Sequence, residues 1–149
     1  MKTLILVCVA ALTMSFTGCE REEVPTTLNF NEITGSWKLV EPASQYNITL
    51  ELAVDPGAST IPGVTPFNAT GKASVNSYFA SSSASKTGSF GFGQIASTKM
   101  AGPTDAMQFE QTYFNKLQAV NRFDLTNQNR LRLYYAAEQP GVLVYEKTK

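Results

Sequence analysis

The 149-residue sequence contains no histidine. That removes the side chain that ordinarily titrates near neutral pH, the commonest nitrogen ligand for metals, and every serine–histidine or cysteine–histidine nucleophile pair. Cysteine is almost absent too: Cys8 and Cys19 are the only two, too few for a thiolate zinc site. Charge is sparse at 16% of residues, with twelve basic and twelve acidic side chains and a net charge of zero. A nucleic-acid ligand needs a basic footprint to displace counterions, so no nucleic-acid partner is expected. Long hydrophobic runs are missing as well. "LILVCVAAL", residues 4–12, is nine residues long, too short to span a bilayer.

That short run opens what is present. Lys2 precedes it and the small residues Thr17 and Gly18 follow, the arrangement of a secretory signal. The next residue is a cysteine, and "FTGC", residues 16–19, resembles a bacterial lipobox, with Phe16 where leucine is usual. The resemblance implies cleavage before Cys19 and acylation of its sulfur and its new amine, residues 1–18 being the signal peptide. Two or three palmitate-type chains on one residue anchor stably, where a single chain is marginal. Glu20, Arg21, Glu22 and Glu23 cannot enter a bilayer, and "VPTTLNFN" continues as an extended linker. Residues 19–33 therefore read as an acylated tether holding a domain of residues 34–149 at a membrane. The expected location is the bacterial envelope, as an outer-membrane lipoprotein facing the periplasm or the exterior. The mature chain would keep no free thiol in an oxidising compartment.

Beyond the tether, apolar and polar residues alternate in short segments. "GSWKLVEP" (35–42) and "YNITLELAV" (46–54) read as strands, and "DPGASTIPGVTP" (55–66) as a loop. Residues 69–81 alternate as one further strand, with Ala73, Val75, Ser77 and Phe79 on one side and Lys72, Ser74, Asn76 and Tyr78 on the other. Residues 81–88 read as a polar turn and 89–98 as a strand or a pair of strands. One segment, residues 103–120, has helical spacing: Ala106, Phe109, Tyr113, Leu117 and Val120 share a face, widened by Met107 and Phe114. Asp105 with Gln108 fits a capping box, and Asp105 and Glu110 suit the positive end of the helix dipole. Turns at "TNQN" (126–129) and "EQPG" (138–141) then separate three closing strands. The fold class is α+β: an antiparallel β-rich domain with one main helix.

Several motifs match in letters and fail in context. "GFGQIA" (91–96) fits the dinucleotide fingerprint, but no helix starts within it and no βαβ unit surrounds it. "SASK" and "KTG" share Lys86 inside one serine-rich stretch, so they are not the separate helix and strand motifs of penicillin-recognising enzymes. The acidic residues are scattered, with no metal-binding spacing, so neither metal nor cofactor is expected. Most aromatics read as core, while Tyr78 and Tyr134, on polar strand faces, could line a groove.

The order of elements from Gly35 to Glu146 resembles the META, or HslJ-like, domain family. Trp37 stands at the family's opening tryptophan, Ser74-Val75-Asn76 where its G-C-N stands, and Ile95, Thr98, Met100 and Ala101 on a second element, before the helix. Both family cysteines are replaced: Val75 stands at one and Gly102 at the other, so a cross-link that the resemblance implies is lost. The family brings no catalytic residues, and its members are secreted or lipid-anchored proteins linked to envelope stress. The expectation is a non-catalytic lipoprotein, held by Cys19 and acting through an envelope partner or as structural support. A hydrophobic-ligand carrier, which needs a β-lined cavity, and a hydrolase are the alternatives. The hydrolase would need scattered groups such as Asp55, Asp124 and Glu138 to be brought together.

Overall fold

The computed structural model describes residues 30–59, 61–126 and 129–148. Its elements are α1 (Phe30–Ile33), β1 (Gly35–Glu41), β2 (Thr49–Val54), β3 (Val64–Lys72), β4 (Ser77–Ser85), β5 (Phe90–Phe92), β6 (Ala96–Ser97), α2 (Thr104–Gln118), β7 (Val120–Thr126), β8 (Arg130–Tyr135) and β9 (Gly141–Lys147). The strands form one sheet in the order β5-β4-β3-β2-β1-β9-β8-β7, with β6 also on β4. The strand pairs within this sheet are antiparallel. The two ends of that order meet: the Phe123 amide donates to the Gly88 carbonyl at 2.9 Å, and Ser89 bridges Arg122. The sheet thus curls into a nearly closed barrel, an α+β fold with one main helix, as the alternation predicts. The seam stays open beyond this bridge. There β7 bulges between Val120 and Arg122, which bends a strand away from its neighbour, and an open cleft of about 410 Å³ lies along Phe90, Gly91, Val120 and Asn121.

Alternation fills the interior. Trp37, Leu50, Leu52, Phe67, Leu131, Leu133, Leu143 and Tyr145 all point inward and are buried. At one place the expected phase is wrong. Residues 69–81 are two strands, not one, because the Ala73 amide donates to the Asn76 carbonyl at 2.9 Å and closes a tight turn. That turn resets the alternation. In β4, Tyr78, Ala80, Ser82 and Ala84 are buried, while Ser77, Phe79, Ser81 and Ser83 face outward. Tyr78 is therefore core and not groove, and the strand runs on to Ser85 through the stretch expected as a turn. Similarly, β3 begins at Val64, inside the expected loop.

The registers give the barrel two unlike ends. At one, here the entry end, lie α1, the described residues between β2 and β3 (55–59 and 61–63), the β4–β5 turn, the end of β7 and the start of β8. At the other, the helix end, lie the 73–76 turn, β6, the β8–β9 turn and both ends of α2. Helix α1 falls within the stretch read as tether, yet it packs on the barrel. Phe30 meets Phe67 edge-on at 6.4 Å and Ile33 is buried. Three side chains take its last carbonyls: Thr34 Oγ1 on Asn31, Lys147 Nζ on Glu32 and Trp37 Nε1 on Ile33, at 2.7, 3.0 and 2.9 Å. So short a helix cannot pair its last carbonyls within itself, and these donors satisfy three of them.

Candidate functional site

Helix α2 lies at the helix end and is fastened there by one buried carboxylate. Glu110 sits between Ala106 and Tyr113 on the buried stripe. Its Oε2 accepts the amides of Val75 and Asn76 at 3.2 and 2.8 Å, and its Oε1 accepts Asn76 Nδ2 at 2.7 Å. Asn76 Oδ1 in turn accepts from Thr98 Oγ1 and the Met100 amide at 2.8 and 2.7 Å. Ser74 Oγ donates to the Ala106 carbonyl at 2.6 Å. One turn, one helix and the segment after β6 are thereby clasped together. Glu110 is thus not a dipole residue as expected: the turn's amides and Asn76 hold it. Asp105 also departs from its expected capping role. No side chain caps the helix, and Asp105 Oδ2 accepts instead from Tyr46 Oη at 2.9 Å.

Three apolar side chains at this end are exposed. Phe79, Met100 and Met107 are 61%, 59% and 46% exposed, so Met107 does not widen the buried face as expected. In the same region Gly102 packs directly on Val75. A Cβ built on Gly102 would lie 3.4 Å from Val75 Cβ, close to the separation that a disulfide spans. The two positions at which the family resemblance places cysteines are therefore neighbours in space.

Inside the barrel a polar column crosses the core. Tyr78 Oη donates to the Thr49 carbonyl at 2.9 Å, and the Tyr78–Tyr113 and Tyr113–Tyr145 hydroxyls are each 3.0 Å apart. A carbonyl can only accept, so Tyr78 spends its proton on Thr49. Tyr113 must then donate to Tyr78, and Tyr145 to Tyr113. Gly71 makes room: a Cβ there would strike the Thr49 carbonyl and lie 2.7 Å from Tyr78 Oη. Burial pushes all three phenols well above their ordinary value, so they stay protonated.

The other residues singled out by sequence are dispersed. Asp55, at the entry end, accepts the Gly57 amide at 2.9 Å in its own turn. Asp124 lies mid-β7 opposite Arg132, and Glu138 is exposed in the β8–β9 turn at the helix end. The fold does not bring the three together. Tyr134 is covered by the Arg122 guanidinium, 3.9 Å from its ring centre. In "GFGQIA", Gly91 belongs to β5, and Gly93 donates to the Ser81 carbonyl at 2.8 Å. Cys19 lies outside the described residues. Among the described residues no group of three acidic side chains is placed to hold a metal, and no helix is long and apolar enough to cross a membrane. Glu110 had one signal in the sequence: an acid on the apolar stripe Ala106, Tyr113, Leu117.

The NMR structure of a protein from Burkholderia xenovorans is similar in fold, with a TM-score of 0.52 and 24% identity over 76% of this chain and 81% of that one. No curated protein sequence matches the chain. The META domain model matches residues 31–148, from α1 to the residue after β9, and so takes in the barrel, the helix and the clasp. By that match the chain belongs to the META domain family.

Proposed function

We propose that the protein is a lipid-anchored component of the bacterial envelope that acts by binding another envelope protein, not by catalysis. Cys19 is the anchor, on the strength of the lipobox-like "FTGC" after a short apolar run. The observation that carries the binding role is the exposed apolar trio Phe79, Met100 and Met107 at the helix end. Flexible, polarisable methionines suit contact with a partner, and the clasp holds their backbone in place before binding. The groups best suited to chemistry have other work: Glu110 accepts three hydrogen bonds and the tyrosine column is closed on Thr49. A lipid cargo would have to displace Trp37, Phe67 and Tyr145 from a filled interior, which disfavours a carrier.

The test has two parts. Intact mass and detergent partitioning are compared for the wild type and Cys19→Ser. Diacyl mass and detergent entry in the wild type alone are expected, and equal behaviour of the two removes the anchor. A photoreactive side chain at position 107 of the membrane-held protein is then expected to give a discrete cross-linked product. The same group at exposed Glu51 should not. Equal yields from both positions, or none from 107, remove the binding surface.

A further inference from the structure

The tether enters the barrel at one end, and that end carries an exposed apolar side chain on a hydrogen-bonded turn. Ile61, 63% exposed, is the first residue of the sequence Ile61-Pro62-Gly63-Val64. The Val64 amide donates to the Ile61 carbonyl at 3.0 Å, and Gly63 has φ of 78°. Proline second and a positive-φ glycine third are the requirements of a type II turn. The backbone that carries the exposed Ile61 is therefore fixed by a hydrogen-bonded turn. The Lys86 amide donates to the Gly63 carbonyl at 3.2 Å, which sets a lysine beside the turn. Of the other charges at this end, Arg130 pairs with Glu146, Asp55 accepts its own turn amide and Lys147 donates to the Glu32 carbonyl, while the Glu32 side chain is exposed on α1.

We infer that the entry end rests on the bilayer, with Ile61 of the Ile61–Val64 turn seated among the headgroups and Lys86 at the lipid phosphates. This rests on the acylation of Cys19 proposed above. Eleven residue steps separate the acylated Cys19 from Phe30 at the start of α1. At about 3.5 Å per residue they reach at most ~38 Å, and as a coil they average about 18 Å. The nine-residue strands β3 and β4 are each ~30 Å long at 3.3 Å per residue, longer than the average coil span. Only a nearly fully extended tether would let the helix end reach the lipid, so the entry end is the one favoured there. A tether this short keeps Ile61 at high effective concentration beside the membrane, so a contact too weak to bind alone becomes intramolecular. The apolar trio at the helix end then faces outward, where a partner can reach it.

Depth-dependent quenching tests this. Full-length acylated protein carrying Ile61→Trp or Met107→Trp is placed on phosphatidylethanolamine–phosphatidylglycerol vesicles with brominated acyl chains. The wild type, whose Trp37 is buried, supplies the background. Emission from position 61 is expected to shift to the blue and to be quenched several-fold more than emission from position 107. Equal or absent quenching at 61, in protein that floats with vesicles and carries diacyl mass, overturns the contact and leaves the anchor standing. Protein that neither floats nor carries acyl mass removes the anchor and the contact with it.

Discussion

The tyrosine column shows how one carbonyl sets the behaviour of three side chains. Because Thr49 only accepts, the hydroxyl protons point one way, from Tyr145 to Tyr113 to Tyr78. Removing a hydroxyl therefore costs different amounts along the chain. Tyr145→Phe deletes a terminal donor and leaves no proton unpaired, so about 1 kcal/mol is expected. Tyr113→Phe strands the Tyr145 proton in the core and should cost roughly 1.5–2 kcal/mol. Tyr78→Phe strands both the Tyr113 proton and an acceptor site on Thr49, for about 2–3 kcal/mol. Denaturant midpoints of the three variants check the order. Equal losses would mean that the protons have no fixed direction. Tyr78 was hidden in the sequence because Phe79 beside it is the more apolar of the two yet faces outward, and the serines and alanines around the pair give the alternation little contrast across the 73–76 turn.

At the level of elements, α2 is joined to the barrel by a carboxylate as well as by its apolar stripe. Glu110→Gln keeps the shape and changes one acceptor into a donor. Asn76 cannot turn its amide to compensate, since its Oδ1 already accepts from Thr98 and Met100. The substitution should cost about 1–3 kcal/mol, and the Val75 and Asn76 amides should lose hydrogen-exchange protection before those of β1. Unchanged protection there would show that the clasp does not hold the turn. A second substitution tests the packing beneath. Gly102→Cys alone sets a Cβ against the Val75 methyls and should destabilise. Val75→Cys with Gly102→Cys should instead form a disulfide closing about 27 residues, for up to roughly 3.5 kcal/mol. Loss of two hydrogens in intact mass and a raised Tm check it, and free thiols persisting in air would rule out the proximity. Most strands and α2 were legible because Ile48, Leu50, Leu52, Leu131 and Leu133 contrast sharply with their polar neighbours. The clasp was not, because Glu110 is matched by backbone amides, which no residue letter reveals.

For the molecule as a whole, stability against pH follows from what the chain lacks and what it buries. Without histidine, no side chain of ordinary pKa changes charge between about pH 6 and 8. The alkaline side is different. Burial holds the Tyr78, Tyr113 and Tyr145 phenols above the ordinary value near 10. Below that pH the folded and unfolded chains both keep these protons, and their contribution is fully present. Above it the unfolded chain releases three protons that the folded chain retains, so stability falls by about 4 kcal/mol per pH unit. Against a total of roughly 5–15 kcal/mol, the barrel should unfold cooperatively within a few pH units above 10. Three of the six tyrosines should ionise only in that step, seen as tyrosinate absorbance rising together with loss of the far-ultraviolet β signal. In Tyr145→Phe the slope should drop to about two-thirds, since two protons remain. Smooth ionisation of all six with the β signal intact would mean that hydroxide reaches the column through an opening barrel, and the open stretch of the β5–β7 seam is where such an opening would begin.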